Sequence, residues 1–93
     1  MITNRFTSVW DAIEDTQDVA ENMRLRSVLM TALRNHIVNT GMNQTQAAKV
    51  FNVTQPRISD LMRGKINLFS IDMLINMATF AGLHIEINIL ETA

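Results

Sequence analysis

The sequence predicts an all-α domain of five or six helices that closes on a C-terminal β-strand, and three observations carry that prediction. Apolar residues recur at helical spacing through most of the chain. Ser, Thr or Asn stands at the head of each such stretch, and Gly or Asn at its foot. The last stretch gives up that period for alternation of apolar and polar residues.

The elements follow in order. Ser8 can cap a short helix of about two turns, with Asp11 three residues on and Val9, Trp10 and Ile13 on one face. Thr16 caps a second helix that starts between Gln17 and Asn22, with Asp18 and Glu21 close to its positive end. Val19, Met23, Leu25, Leu29, Ala32, Leu33 and Ile37 keep helical spacing as far as Thr40, and Gly41 stops the helix. Asn43 caps Gln44–Phe51, which turns Ala47, Ala48 and Phe51 inward. Asn52 occupies the turn because Asn tolerates a left-handed backbone, and Val53 points inward. Thr54 caps the next helix, and Pro56 falls in its first turn, where a missing N–H costs no helical bond. Ile58 and Leu61, with Met62 beside them, form the buried stripe that Gly64 ends. Ser70 caps a last helix with Ile71, Leu74, Ile75, Ala78 and Phe80 or Ala81 as its apolar side, ending at Gly82. From Leu83 the residues alternate, with Ile three times, which reads as a strand. A lone strand needs a partner. The simplest is its own copy, which would put Leu83, Ile85, Ile87 and Ile89 at a homodimer interface. Parallel pairing, or pairing with another protein, is the alternative.

Ninety-three residues suit one domain, divided here into an acidic segment with a short helix (1–21) and a helical body with the strand (22–93). With 47% apolar residues the chain should fold. No apolar run reaches membrane-spanning length, and no signal peptide is expected, so the cytoplasm is the expected location. The absence of cysteine excludes disulfides and thiolate metal sites. The net charge of −1 hides an uneven distribution: residues 1–21 carry −4 and residues 22–82 carry +5. A basic middle suits phosphate contact, although a solvated surface would read the same way. His36 and His84 are far apart with no carboxylate cluster around them, which favours packing or surface roles over metal binding or catalysis. Neither a nucleophile–base pair nor a phosphate loop is visible, so no enzyme activity and no cofactor are expected. The seven methionines suit core filling. Trp10 either docks on the domain or anchors a partner.

The stretch from Asn43 to Lys65 carries the function. Ala48 is small enough to let two short helices approach closely, and a tight turn between them sets a large crossing angle. With Ile58 and Leu61 inward, Gln55, Pro56, Ser59, Asp60 and Arg63 stay on the outer face, with Arg57 at its edge. This is how a helix-turn-helix offers its second helix to the major groove. The amide of Gln55 suits adenine, to which it can pair both ways. Asp60 is an acid on that face, which repels phosphate unless it accepts from a cytosine amino group, and Pro56 removes one hydrogen-bonding side chain.

The same residues resemble the Xre group of helix-turn-helix regulators, which includes the lambdoid phage repressors. Gln44 and Gln55 match the glutamines that open the two helices of that motif, and Gly64-Lys65 matches the Gly-Lys that follows. Gln44-x-x-Ala47-Ala48, Gln55-Pro56-Arg57-Ile58-Ser59 and Phe69-Ser70 resemble a subgroup that includes HigA-type antitoxins, with Asn43 where that pattern has threonine. The resemblance implies a lambda-repressor-like fold and a repressor of its own operon, and the homodimer expected from the strand implies a palindromic double-stranded operator. It also implies a RelE/HigB-like toxin as second partner. Residue by residue, it implies that Gln44 and Thr54 lie at helix starts against DNA, and that Gln55, Pro56, Ser59 and Asp60 face bases. Arg57, Arg63, Lys65 and Asn67 would hold the phosphate backbone. The competing reading is a helical protein-interaction module that has lost DNA binding, favoured by the acidic total charge and by Asp60 and Pro56.

Overall fold

Four α-helices form among residues 16–92, the residues described in the computed structural model. They are α1 (Gln17–Thr40), α2 (Gln44–Phe51), α3 (Gln55–Met62) and α4 (Ile71–Phe80), with a 3₁₀ turn, η1 (Ile66–Leu68), between the last two. The helix expected after Ser8, and Trp10 with it, lies outside the described residues.

Thr16 stands at the head of α1, but its side chain does not cap a helix N–H. Asp18 lies in the first turn, near the positive end of the helix. Hydrogen bonds from the Thr16 side chain, and then from the backbone of Val19 and of Asp18 itself, hold its carboxyl below its ordinary pKa. Gly41, at φ 71°, closes the helix. The Ser70 hydroxyl accepts from Met73 N at 3.1 Å and starts α4.

The core is a single apolar cluster. Met30, Leu33 and Ile37 of α1 meet Ala47 and Phe51 of α2, Ile58 and Leu61 of α3, Phe69, and Leu74, Met77 and Ala78 of α4. The N-terminal half of α1 runs beyond this cluster, so Val19 and Leu25 are exposed rather than buried. Met30, absent from the expected stripe, is buried instead, because the contact with α2, α3 and α4 begins one turn further along. At the end of α4 it is Ala81 that packs on the core, while Phe80 is 63% exposed. Met42, Met62 and Met73 fill gaps at the edge of the cluster. His36 packs edge-on against Phe51, with ring centroids 6.1 Å apart, and His84 is on the surface beside Glu86.

The C-terminal strand is the correction. No strand is present among the described residues; residues 83–92 have no regular secondary structure. Alternation marks which side chains share a face, but a strand also needs a neighbour to complete its backbone ladder, and no other described segment pairs with this one. The alternation is used another way. Leu83 N donates to Ala78 O at 2.9 Å, and Leu83 and Ile85 lean on the core. Ile87 and Ile89 remain 76% and 89% exposed.

Candidate nucleic-acid interface

The unit α2–turn–α3 is fixed by hydrogen bonds that its own residues supply. Asn43 Oδ1 accepts from Gln46 N at 2.8 Å, and Gln46 Oε1 accepts from Asn43 N at 2.9 Å. This reciprocal box satisfies two N–H groups that a helix start leaves open. The Asn-x-x-Gln spacing carried that signal, and only its first half entered the sequence reading. Asn52 adopts φ 59°, ψ 48°, the left-handed conformation expected of it. Asn52 N then reaches Lys49 O at 3.3 Å and Val53 N reaches Ala48 O at 2.9 Å, which turns the chain sharply into α3. Thr54 Oγ1 accepts from Arg57 N at 3.3 Å, with Pro56 in the first turn of α3. At the far end Gly64, at φ 73°, repeats the turn: its N–H reaches Leu61 O at 3.0 Å and Lys65 N reaches Asp60 O at 3.1 Å.

With Ile58 and Leu61 buried, the opposite side of α3 is open to solvent. Thr54, Gln55, Pro56 and Arg63 are exposed, and Ser59 and Asp60 are half-buried between them. Gln44 is half-buried at the head of α2, and Asn67 is exposed in η1. Asp60 does not stand as an isolated acid. Lys65 Nζ lies 3.8 Å from its Oδ1, so the negative charge on the outer face is offset from within. At that separation and exposure the pair adds little to stability. Its consequence is electrostatic, since it reduces the repulsion an acid would present to phosphate.

Arg57, at the edge of that face, is held within the protein. Its Nη1 donates to Leu68 O at 3.0 Å, and its guanidinium lies 5.4 Å from the centroid of the Phe69 ring. The side chain therefore folds against the loop after α3. Two arginines of α1 join this end of the unit, and neither entered the sequence reading as a site residue. Arg26 Nη1 donates to the carbonyls of Ile66 and Phe69 at 3.2 and 3.3 Å. Arg34 reaches Gly64, where a Cβ would stand 3.7 Å from its Nη1. Their partners lie some thirty to forty positions away in the chain, beyond the reach of any local pattern.

Two short helices at a fixed turn, with a core-facing and a solvent-facing side to the second, define a helix-turn-helix protein. The chain belongs to the helix-turn-helix domain family, whose sequence model matches residues 12–90. It is also similar to a solved structure assigned by name to the XRE family of transcriptional regulators. The two are 27% identical with a TM-score of 0.72, covering 78% of this chain and 82% of that one. No curated protein matches the sequence.

Proposed function

We propose that this chain is a transcriptional regulator that binds double-stranded DNA selectively through the outer face of α3. The observation that carries the reading is that face itself. Gln55 and Pro56 are exposed at the N-terminal end of a helix held rigidly by its caps, where a recognition helix presents side chains to base edges. Gln55 would pair with adenine, Pro56 would touch a thymine methyl, and Asp60, already offset by Lys65, would accept from a cytosine amino group. Ser59 lies between them. Gln44, Arg63, Lys65 and Asn67 would fix the register on phosphates. Regulation then follows from occupancy of the operator, with repression of its own operon as the outcome. The likeness to an XRE-family regulator supports this reading.

The finer proposal is a homodimer on a palindromic operator, with its recognition helices about 34 Å apart in successive major grooves. A groove of about 380 Å³, with exposed apolar side chains at Val28 and Ile87, offers a surface for association. Its lining includes Val28 on α1 and Ile75 on α4, with Ile87 beside them. The antitoxin reading rests on the sequence pattern through Phe69-Ser70 and adds a RelE-like toxin encoded next door. Co-purification with the product of the neighbouring gene tests it, and absence of any such partner removes it. No helix among the described residues is long and apolar enough to cross a membrane.

The decisive experiment is binding to the DNA upstream of its own gene and to a random-sequence pool, comparing wild type with Gln55→Ala at two salt concentrations. Selective binding that weakens steeply with salt and is lost in the variant supports the proposal. No binding to any duplex at low salt leaves the helical interaction module as the reading.

A further inference from the structure

The loop after α3 carries two of the residues assigned to phosphate, Lys65 and Asn67, yet its only regular element is three residues long. A 3₁₀ turn of that length holds itself weakly. Here it is held from two sides by guanidinium groups. Arg57 of α3 donates to Leu68 O at 3.0 Å and covers the Phe69 ring at 5.4 Å. Arg26 of α1 donates to Ile66 O and Phe69 O, and its own Nε is fixed at 2.7 Å by Asn22 Oδ1. Three carbonyls of one short loop thus accept from two guanidinium groups on different helices.

We propose that Arg57 and Arg26 are positioning residues that clamp residues 64–69, so that Lys65 and Asn67 meet the DNA backbone, and that Arg57 makes no independent phosphate contact. This rests on the DNA-binding reading and differs, at Arg57, from the role that the family resemblance implies. A phosphate that took the Nη1 donor of Arg57 would displace the Leu68 carbonyl from it, and the loop would lose one of its holders. A lysine at position 57 keeps the charge but not the planar fork, so the clamp and a phosphate contact predict different outcomes for Arg57→Lys.

The test has one arm without DNA and one with it. In the free protein, the amides of Leu68 and Phe69, which donate to Lys65 O and Ile66 O at 3.0 and 3.2 Å, report on the loop by hydrogen exchange. Arg57→Ala, Arg57→Lys and Arg26→Gln should each speed exchange at these two amides about tenfold, while Val53 in the α2–α3 turn stays unchanged. In the second arm, a duplex selected by the wild-type protein from a random pool is the probe. The affinity lost in Arg57→Ala should largely vanish when Lys65→Ala and Asn67→Ala are already present, because groups acting through one another are not additive. Unchanged exchange at Leu68 and Phe69, or an affinity loss that adds in full, would overturn the clamp. Were the wild-type protein to bind no duplex, the regulator reading would fall, and the exchange arm alone would decide the clamp.

Discussion

The helix-turn-helix unit and the C-terminal segment are both written in clear sequence patterns, yet only the first becomes the element its pattern names. Between Asn43 and Lys65 every signal is completed by a neighbour a few residues away: Asn43 by Gln46, Thr54 by Arg57, Lys65 by Asp60. After Gly82 the signal is alternation, and alternation needs a partner strand that no described residue supplies. The segment therefore spends its period on packing, with Leu83 and Ile85 against the core and Ile87 and Ile89 left outside. Local capping patterns specify an element outright. A pairing pattern specifies only a face.

Substitutions in the two regions should separate them sharply. Phe51→Ala removes a fully buried ring on which His36 also rests, and should cost about 3–5 kcal/mol in chemical denaturation. The same truncation at Ile89 should stay within about 0.5 kcal/mol; an equal loss at both sites would break the contrast. Next in size is the turn. Asn52→Val forces a β-branched residue to φ 59° and should cost about 1–2 kcal/mol, whereas Asn52→Gly should be close to neutral. Thr54→Ala should cost about 1 kcal/mol by removing the cap of α3, read as a lowered midpoint with an unchanged denaturant slope.

The smallest effect belongs to the start of α1, which lies off the core. Hydrogen bonding from Arg24, assisted by its charge, lowers the pKa of Glu21, as the Thr16 hydroxyl and nearby backbone N–H groups lower that of Asp18. Both carboxyls have folded values below their ordinary 4.5 and 3.8, so their support is complete above those values. It is lost as pH falls through the lowered ones. Carbon chemical shifts should show the first turns of α1 fraying at acid pH while the amides of α2 and α3 hold. Fraying that is already complete near neutral pH would contradict this.

Most of the helical frame was legible because its punctuation is local: Asn52, Thr54, Pro56, Gly64 and Ser70 each stand where the sequence puts them. The face of α3 was legible for the same reason, since Ile58 and Leu61 decide which side remains outside. Burial along α1 was read less well. Its stripe shows which residues share a face, but where α2, α3 and α4 begin to cover it depends on contacts made far along the chain, which bury Met30 and leave Val19 exposed. The contacts of Arg57 lie beyond local pattern on the same ground. Its residue type suits phosphate, but Leu68 and Phe69 claim it through a loop whose path no local pattern gives.

The most direct test of the central claim is a titration of the ¹⁵N-labelled protein with a duplex selected by the wild-type protein, followed amide by amide. Shifts concentrated in residues 43–46 and 54–67, with residues 83–92 undisturbed, are the predicted result. Shifts centred on residues 83–92, or none at saturating DNA, would contradict the assignment of the outer face of α3 to DNA.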